Sequence, residues 1–226
     1  MEKVVVVGAN GRMGQEIISV LENSKLEFGF GVDIAGDWKS FSELNPSKVS
    51  IVIDFSSPQS FIDACQWCID NQKPLVSGTT GVGDEERNIF NHLAHSQAAL
   101  WAANMSLGVN FVAELVKQLG RLEEDFDFQI EEAHHRYKVD RPSGTALLLQ
   151  NSLQSVLKNQ LPEPLSIRGG GIFGIHKVMA MSDEETISIE HVALNRKVFA
   201  KGAVKAAEWL VTQKAGMYTM KDVLGL

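Results

Sequence analysis

The stretch VVVVGANGRMG, residues 4–14, constrains the fold of this chain more than any other. Four consecutive valines read as a buried strand, and the segment GRMGQEIISVLENS that follows reads as a helix. Between them Gly8, Gly11 and Gly14 form a G-x-x-G-x-x-G turn, a variant of the G-x-G-x-x-G fingerprint. The physical needs are the same in both. One glycine makes the sharp turn, one lets the backbone approach a pyrophosphate, and one lets helix and strand pack closely. The helix N-terminus then offers unpaired N–H groups and a positive dipole end to phosphate. Arg12 sits in the turn and could reach a phosphate, although a solvated arginine there would be unremarkable. Asp33 ends the expected second strand, nineteen positions after Gly14, where an acid can bond the adenosine ribose hydroxyls of NAD. An acid there could equally be a polar strand end, but its position favours the ribose role. The next residue is Ile34, with no charge for a 2′-phosphate, so NADH is expected over NADPH.

After this unit, strands and helices alternate. VSIVIDFS, KPLVSGTT and AALWAAN read as strands. SPQSFIDACQWCIDN and GDEERNIFNHLAHS read as helices. Alternation of this kind implies βαβ units and a parallel sheet. The pattern then changes. A long helix from Ser106, the strand DFQIEEAHH and a helix from Ser143 precede LSIRGGGIFGIHKVMAMSD and ETISIEHVAL, which follow one another without a helix. Consecutive strands predict a mixed or antiparallel sheet. The expected class is therefore α/β: a Rossmann-type parallel-sheet domain plus a second, α+β domain with a mixed sheet. KGAVKAAEWLVTQ reads as a closing helix, and GMYTMKDVLGL as a tail.

The bulk properties narrow the partners. With 21 basic against 28 acidic side chains the net charge is −7, which argues against nucleic acid. No apolar run approaches membrane-spanning length, so no membrane partner and a cytoplasmic location are expected. Cys65 and Cys68 form a C-x-x-C, yet they fall inside a helical pattern and read as two packed, reduced thiols.

Against the acidic background, AHHRYKVDRPSGTA, residues 133–146, gathers two histidines, Arg136, Lys138 and Arg141 before an expected helix start. Neighbouring strand residues face opposite ways, so His134 and His135 should diverge. Ser143, Gly144 and Thr145 offer hydroxyls and helix-start N–H groups suited to a carboxylate. Lys138 adds a point charge, and histidine titrates near neutrality, as a general acid must. No Cys or carboxylate pattern nearby completes a metal site. The residues alone thus describe an NAD(P)-binding domain joined to one that holds a small carboxylate.

EEAHHRYKVDRPSGTA closely resembles the signature of the bacterial dihydrodipicolinate reductase (4-hydroxy-tetrahydrodipicolinate reductase) family, roughly E-x-H-H-x-x-K-x-D-x-P-S-G-T-A. GANGRMG, VIDFSSP, VSGTTG, AANMSLGVN, SIRGGGIFGIH and FAKGAVKAAEWL match in order, so the resemblance spans nearly the whole chain. It implies NAD(P)H-dependent reduction of a small dicarboxylate to tetrahydrodipicolinate, on the route to diaminopimelate and lysine. It also implies a homotetramer. His134 matches the proposed general acid and Lys138 a second catalytic residue. His135, Ser143, Gly144 and Thr145 match substrate-binding positions. The cofactor positions it implies are Gly8, Asn10, Gly11, Arg12, Met13, Gly14 and Asp33 in the first turn and strand. Further along they are Phe55, the loop Gly78, Thr79 and Thr80, and the segment Ala102, Ala103, Asn104 and Met105. The implied domains are 1–106 with 199–226 for the dinucleotide, and 107–198 for substrate and oligomerisation, with hinges near Ser106 and Phe199.

Departures from the family pattern are also visible. Many members carry an arginine at the position of Ser57 and a basic residue after the acid at Asp33, and both help with NADPH. Asn10 replaces a common glycine, and Met105 a frequent phenylalanine. Two other readings compete. An aspartate-dehydrogenase-like enzyme would not require H-H-x-x-K with P-S-G-T-A. A non-catalytic dinucleotide sensor could lose the acid, whereas this chain keeps His134 and Lys138.

Overall fold

A computed structural model of the chain describes residues 2–35 and 40–226. It separates into two compact units, Met1–Ser106 with Arg196–Leu226, and Leu107–Asn195.

The first unit is a six-stranded sheet built from β1 (Glu2–Val7), β2 (Leu26–Val32), β3 (Ile51–Asp54), β4 (Leu75–Ser77), β5 (Ala98–Trp101) and β10 (Gly216–Tyr218). All its pairings are parallel, in the order β10-β5-β4-β3-β1-β2. Strands buried on both faces need no polar alternation, which is why Val4 to Val7 and Ile51 to Ile53 are almost wholly apolar and inaccessible. On one face lie α2 (Pro58–Asn71) and α3 (Asp84–Ser96), packed through Phe61, Cys65, Cys68, Phe90 and Leu93. Pro58 occupies the first turn of α2, where its missing N–H costs nothing, and Ser57 caps the helix by accepting from Ser60 N–H. The thiols Cys65 and Cys68 are free and fully buried in this layer. α1 (Arg12–Leu21) packs with α6 (Lys197–Leu210), and α6 also lies against β3, β4 and β5. α6 begins at Lys197, ahead of the Lys201 start read from the sequence.

The segment read as a tail supplies β10 and the short helix α7 (Met220–Leu224). β10 pairs Gly216 with Ala98, residues on either side of the inserted second unit, a contact no local pattern could signal.

The second unit has a four-stranded mixed sheet, β7-β6-β8-β9, from β6 (Asp127–His134), β7 (Leu165–Arg168), β8 (Gly174–Met181) and β9 (Thr186–Ala193). β7 runs parallel to β6 through the crossover helix α5 (Gly144–Gln154), while β8 and β9 are antiparallel. The segment LSIRGGGIFGIHKVMAMSD therefore holds two strands that pair with opposite sides of β6, parted by the Gly169–Gly171 turn. One face of this sheet is covered by α4 (Leu107–Leu119) and α5 through Val116, Phe128, Ile130, Leu149, Leu153 and Val178. The opposite face carries Leu165, Ile167 and Val192, each roughly half exposed (53%, 53% and 45%). Among the described residues no helix is long and apolar enough to cross a membrane.

Candidate active site

Strand order reverses between β2-β1 and β3-β4, and a ligand crevice is expected outside the carboxyl ends of β1 and β3 at such a switch point. A cavity of about 550 Å³ lies there, lined by Gly8, Asn10, Gly11, Asp33, Ile34 and Phe55 among others. Gly8 has φ +77° and donates its N–H to Val32 O, and a Cβ on it would stand 2.5 Å from Phe55 O. Gly14 lies deeper, where a Cβ would be 2.1 Å from Gly8 O. The first glycine thus makes the turn and the last lets α1 press against it. No side-chain hydrogen bond caps α1 at its N-cap, Gly11, so N–H groups at the helix start remain open to an anion. This cradle fits a dinucleotide pyrophosphate.

Asp33 accepts from Asn10 N–H (2.8 Å) and Ala35 N–H (3.2 Å), tying the glycine turn to the end of β2. A carboxylate has lone pairs beyond these two, so ribose hydroxyls can still bond to it. Ile34 is 97% exposed, and no Lys or Arg is among the described residues lining the cavity. Asp63 adds a second acid to its wall.

The remaining cofactor positions read from the sequence are placed differently. Arg12 and Met13 open α1 and are not among the lining residues. Gly78 lies against the Phe55 ring, where a Cβ would stand 2.3 Å from two ring carbons. Thr79 is buried and Thr80 exposed. Ala102 N–H donates to Ser77 O, and Asn104 accepts from Ser106 N–H at 2.9 Å. Ala103 is exposed. Met105 is 1% exposed, and its carbonyl faces Gly202 of α6, so its side chain serves the core.

Asp54, at the end of β3, had no role in the sequence reading. It is fully buried and accepts from the hydroxyls of Ser56, Ser77 (2.6 Å) and Thr79 (2.7 Å). Burial raises its pKa, and these hydroxyls hold the rise back. The same hydroxyls orient the loops after β3 and β4: Ser56 N–H donates to Thr79 Oγ1 and Thr79 N–H to Ser77 Oγ.

In the second unit β6 alternates faces, so Glu132 and His134 lie on the helix-covered side with Phe128 and Ile130. His134 Nδ1 is 2.6 Å from Glu132 Oε2. Arg168, at the end of β7, grips the same carboxylate with both terminal nitrogens, Nη2 to Oε1 at 2.6 Å and Nη1 to Oε2 at 2.8 Å. Ser143 N–H donates to Oε1 at 3.2 Å. Burial opposes the charge on Glu132, but the Arg168 fork leads a set of hydrogen bonds that outweighs it and holds the carboxyl down to about 2. His134 is lowered from its ordinary value because burial disfavours its cation, with Glu132 pushing back. His176 of β8 packs its ring edge-on to His134 at 5.1 Å and reaches Ser143 Oγ at 3.1 Å through Nε2. Burial first, then the charges of His134 and His191, press His176 down to about 3, so it stays neutral.

β6 ends at His134, and His135 leaves the sheet with its ring tilted against Tyr137 at 6.2 Å. Lys138 pairs with Asp140 at 2.9 Å. Ser143 caps α5 by accepting from Ala146 N–H, with Gly144 and Thr145 in the first turn. The structure thus brings His134, Ser143 and, through Arg168, the Lys138 loop around one carboxylate. Glu132, Arg168 and His176 fall inside the quoted motifs, as the E of E-x-H-H and within SIRGGGIFGIH, but were given no role there. Glu132 stands two positions before His134, the period that puts both on one face of a strand, but its partners lie 36 and 11 positions away.

A dinucleotide cradle in one unit and a carboxylate-held histidine beside a lysine in the other are the equipment of a pyridine-nucleotide oxidoreductase. The comparisons agree and are more specific. Residues 2–105 match the model of the dihydrodipicolinate reductase N-terminus and residues 108–224 that of its C-terminus. The chain belongs to the dihydrodipicolinate reductase family. It is 46% identical over 98% of its length to the 4-hydroxy-tetrahydrodipicolinate reductase of Bdellovibrio bacteriovorus, of which 96% is covered. It is 37% identical over 99% of its length to that of Zymomonas mobilis, of which 97% is covered. Among solved structures, a dipicolinate-bound dihydrodipicolinate reductase from Paenisporosarcina sp. shares the fold, with a TM-score of 0.79 at 22% identity over 97% of both chains.

Proposed function

We propose that the chain reduces 4-hydroxy-tetrahydrodipicolinate to tetrahydrodipicolinate, the 4-hydroxyl leaving as water, using NADH in preference to NADPH, in diaminopimelate and lysine biosynthesis. The observation that carries this reading is the His134, Lys138 and α5 N-terminus constellation, in a chain matched from residue 2 to 224 by the family. The units divide the labour: the first holds the dinucleotide, the second the dicarboxylate.

Bound NADH supplies the hydride. Gly8, Asn10 and Gly11 cradle its pyrophosphate at the start of α1, where Arg12 adds charge, and Asp33 takes the adenosine ribose. Phe55, Gly78 to Thr80 and Ala102 to Asn104 form the nicotinamide end, which Met105 supports from the core. His134 donates the proton, and Lys138 balances a substrate carboxylate. Ser143, Gly144 and Thr145 present helix-start donors to the other carboxylate, and His135 borders it. NADH preference is supported by Asp33 and Asp63 in the cavity wall and by the lack of a cation among its described residues. The uncovered face of the mixed sheet supports a homotetramer. It is apolar at Leu165, Ile167 and Val192 and carries a self-balancing row, Glu131–Lys177–Glu190. The free thiols Cys65 and Cys68 support a reducing, cytoplasmic setting.

The test is oxidation of NADH, and separately of NADPH, with substrate generated in situ by dihydrodipicolinate synthase. Synthase-dependent oxidation, faster with NADH, is expected. A protein that binds NADH but oxidises it under no such condition would overturn the reading.

A further inference from the structure

Four donors converge on Glu132: two from Arg168, one from Ser143 and the ring nitrogen Nδ1 of His134. They take up the acceptor capacity of an ionised carboxylate, which itself has no proton to give. Nδ1 must therefore be the donor in that 2.6 Å contact, and the neutral ring carries its proton there. The other nitrogen, Nε2, is then the one that gains and loses a proton. Gly174, the first residue of β8, keeps that atom clear, since a Cβ there would stand 3.2 Å from Nε2. Arg168 does a second job with the same guanidinium. Its Nε donates to Lys138 O (3.3 Å) and its Nη2 to Asp140 O (2.6 Å). One buried pair thus sets both the ring of the proton donor and the loop that carries Lys138.

We propose that Glu132 and Arg168 are positioning residues. Glu132 fixes the Nδ1–H form of His134 and so commits Nε2 to proton transfer, and Arg168 locks the Lys138–Asp140 loop to the same carboxylate. This rests on the reading of His134 as proton donor. The charged and titratable groups facing that ring are Glu132 on β6, Arg168 on β7, His176 on β8 and Lys138 on the loop. Of these only Glu132 favours the imidazolium. Protonated His134 is needed for turnover, so activity falls as pH rises through its pKa. Replacing Glu132 by a neutral group moves that fall to lower pH.

Three measurements test the proposal. First, nitrogen-15 NMR of the histidine rings in the full-length wild type reads the tautomer directly, with His134→Gln to assign the signal. Neutral His134 protonated at Nδ1 is expected; protonation at Nε2 would overturn the proposal. Second, Glu132→Gln should lower kcat about a hundredfold at pH 8. Its kcat should fall off at lower pH than in the wild type, while the NADH dissociation constant stays the same. In the Glu132→Gln/His134→Gln double variant the loss should barely exceed that of His134→Gln, because residues acting as a unit are not additive. A purely structural Glu132 would leave the pH profile in place and multiply the two losses. Third, Arg168→Lys keeps the charge but not the fork. It should raise KM for the substrate more than it lowers kcat, and an unchanged KM would remove Arg168 from the proposal. Should Glu132→Gln fail to fold, the wild-type tautomer and Gly174→Ala, which crowds Nε2 and should lower kcat without moving NADH affinity, decide the question. A wild type inactive with either cofactor would sink the reductase reading, while the NMR result would still judge Glu132.

Discussion

Gly202→Ala sets two principles against each other. Gly202 lies inside α6, where alanine is the better helix former by about 1 kcal/mol. Propensity alone therefore predicts a more stable protein. The packing predicts the opposite. A Cβ on Gly202 would sit 1.6 Å from Met105 O and 2.7 Å from its carbonyl carbon. Real Cβ atoms keep at least 3.0 Å, so α6 and the segment after β5 must part by about 1.4 Å. The obstacle is backbone, which cannot swing aside as a side chain can. α6 is also held closely by Ala200, Ala203, Ala206 and Ala207, all fully buried. Overpacking of this kind costs about 3 kcal/mol, the upper part of the usual range. Set against the gain in propensity, the net loss is about 2 kcal/mol, or a fall of about 4–8 °C in Tm for a chain this size. Differential scanning calorimetry measures it, with exposed Lys201→Ala in the same helix as control. A Gly202→Ala protein as stable as the control, or more so, would refute the claim that this contact fixes α6.

Gly14→Ala should weaken NADH binding at least tenfold by fluorescence titration, because a Cβ 2.1 Å from Gly8 O forces the cradle open. The pair Asp33→Ser/Ile34→Arg should shift the ratio of kcat/KM values toward NADPH by at least tenfold, since it removes an acid and adds a phosphate partner at the same wall. Neutral, buried His176 has a folded pKa of about 3 against 6.5 unfolded. Its contribution to stability is complete above pH 6.5 and is lost as pH falls toward 3. His176→Asn should accordingly show a flatter decline in urea midpoint between pH 7 and pH 4.5 than the wild type.

What the sequence disclosed follows from the range of the interactions. The glycine turn, Asp33 and the alternation from Val4 to Trp101 were legible because turn sterics and strand burial are written in neighbouring residues. Lys138 and Asp140 stand two apart, and the helix cap at Ser143 is local too. Arg168 was not legible as the partner of Glu132, because 36 residues and a crossover helix separate them. His176 meets Ser143 across 33 positions. The strand read as continuous from Leu165 breaks at Gly169–Gly171 because its halves flank β6 on opposite sides, a matter of topology and not of propensity. Met105, assigned to the nicotinamide by resemblance, turned out to be packed against a glycine in a helix nearly a hundred positions later.

The interruption of the first unit has a consequence for how the chain is made. Its parallel sheet is nearly complete when Trp101 leaves the ribosome, yet α6 and β10 lie beyond Asn195. At common rates of synthesis about ninety residues occupy the ribosome for roughly five to twenty seconds. Throughout that interval the face of β3, β4 and β5 destined for α6 stays bare, and the edge of β5 has no neighbour. A nascent chain stalled before α6 should therefore attract chaperones and resist release as a soluble fragment, whereas one extended past Tyr218 should not. The alanine-rich helix that follows the inserted unit is, in this sense, the closing signal for a domain that the ribosome began two hundred residues earlier.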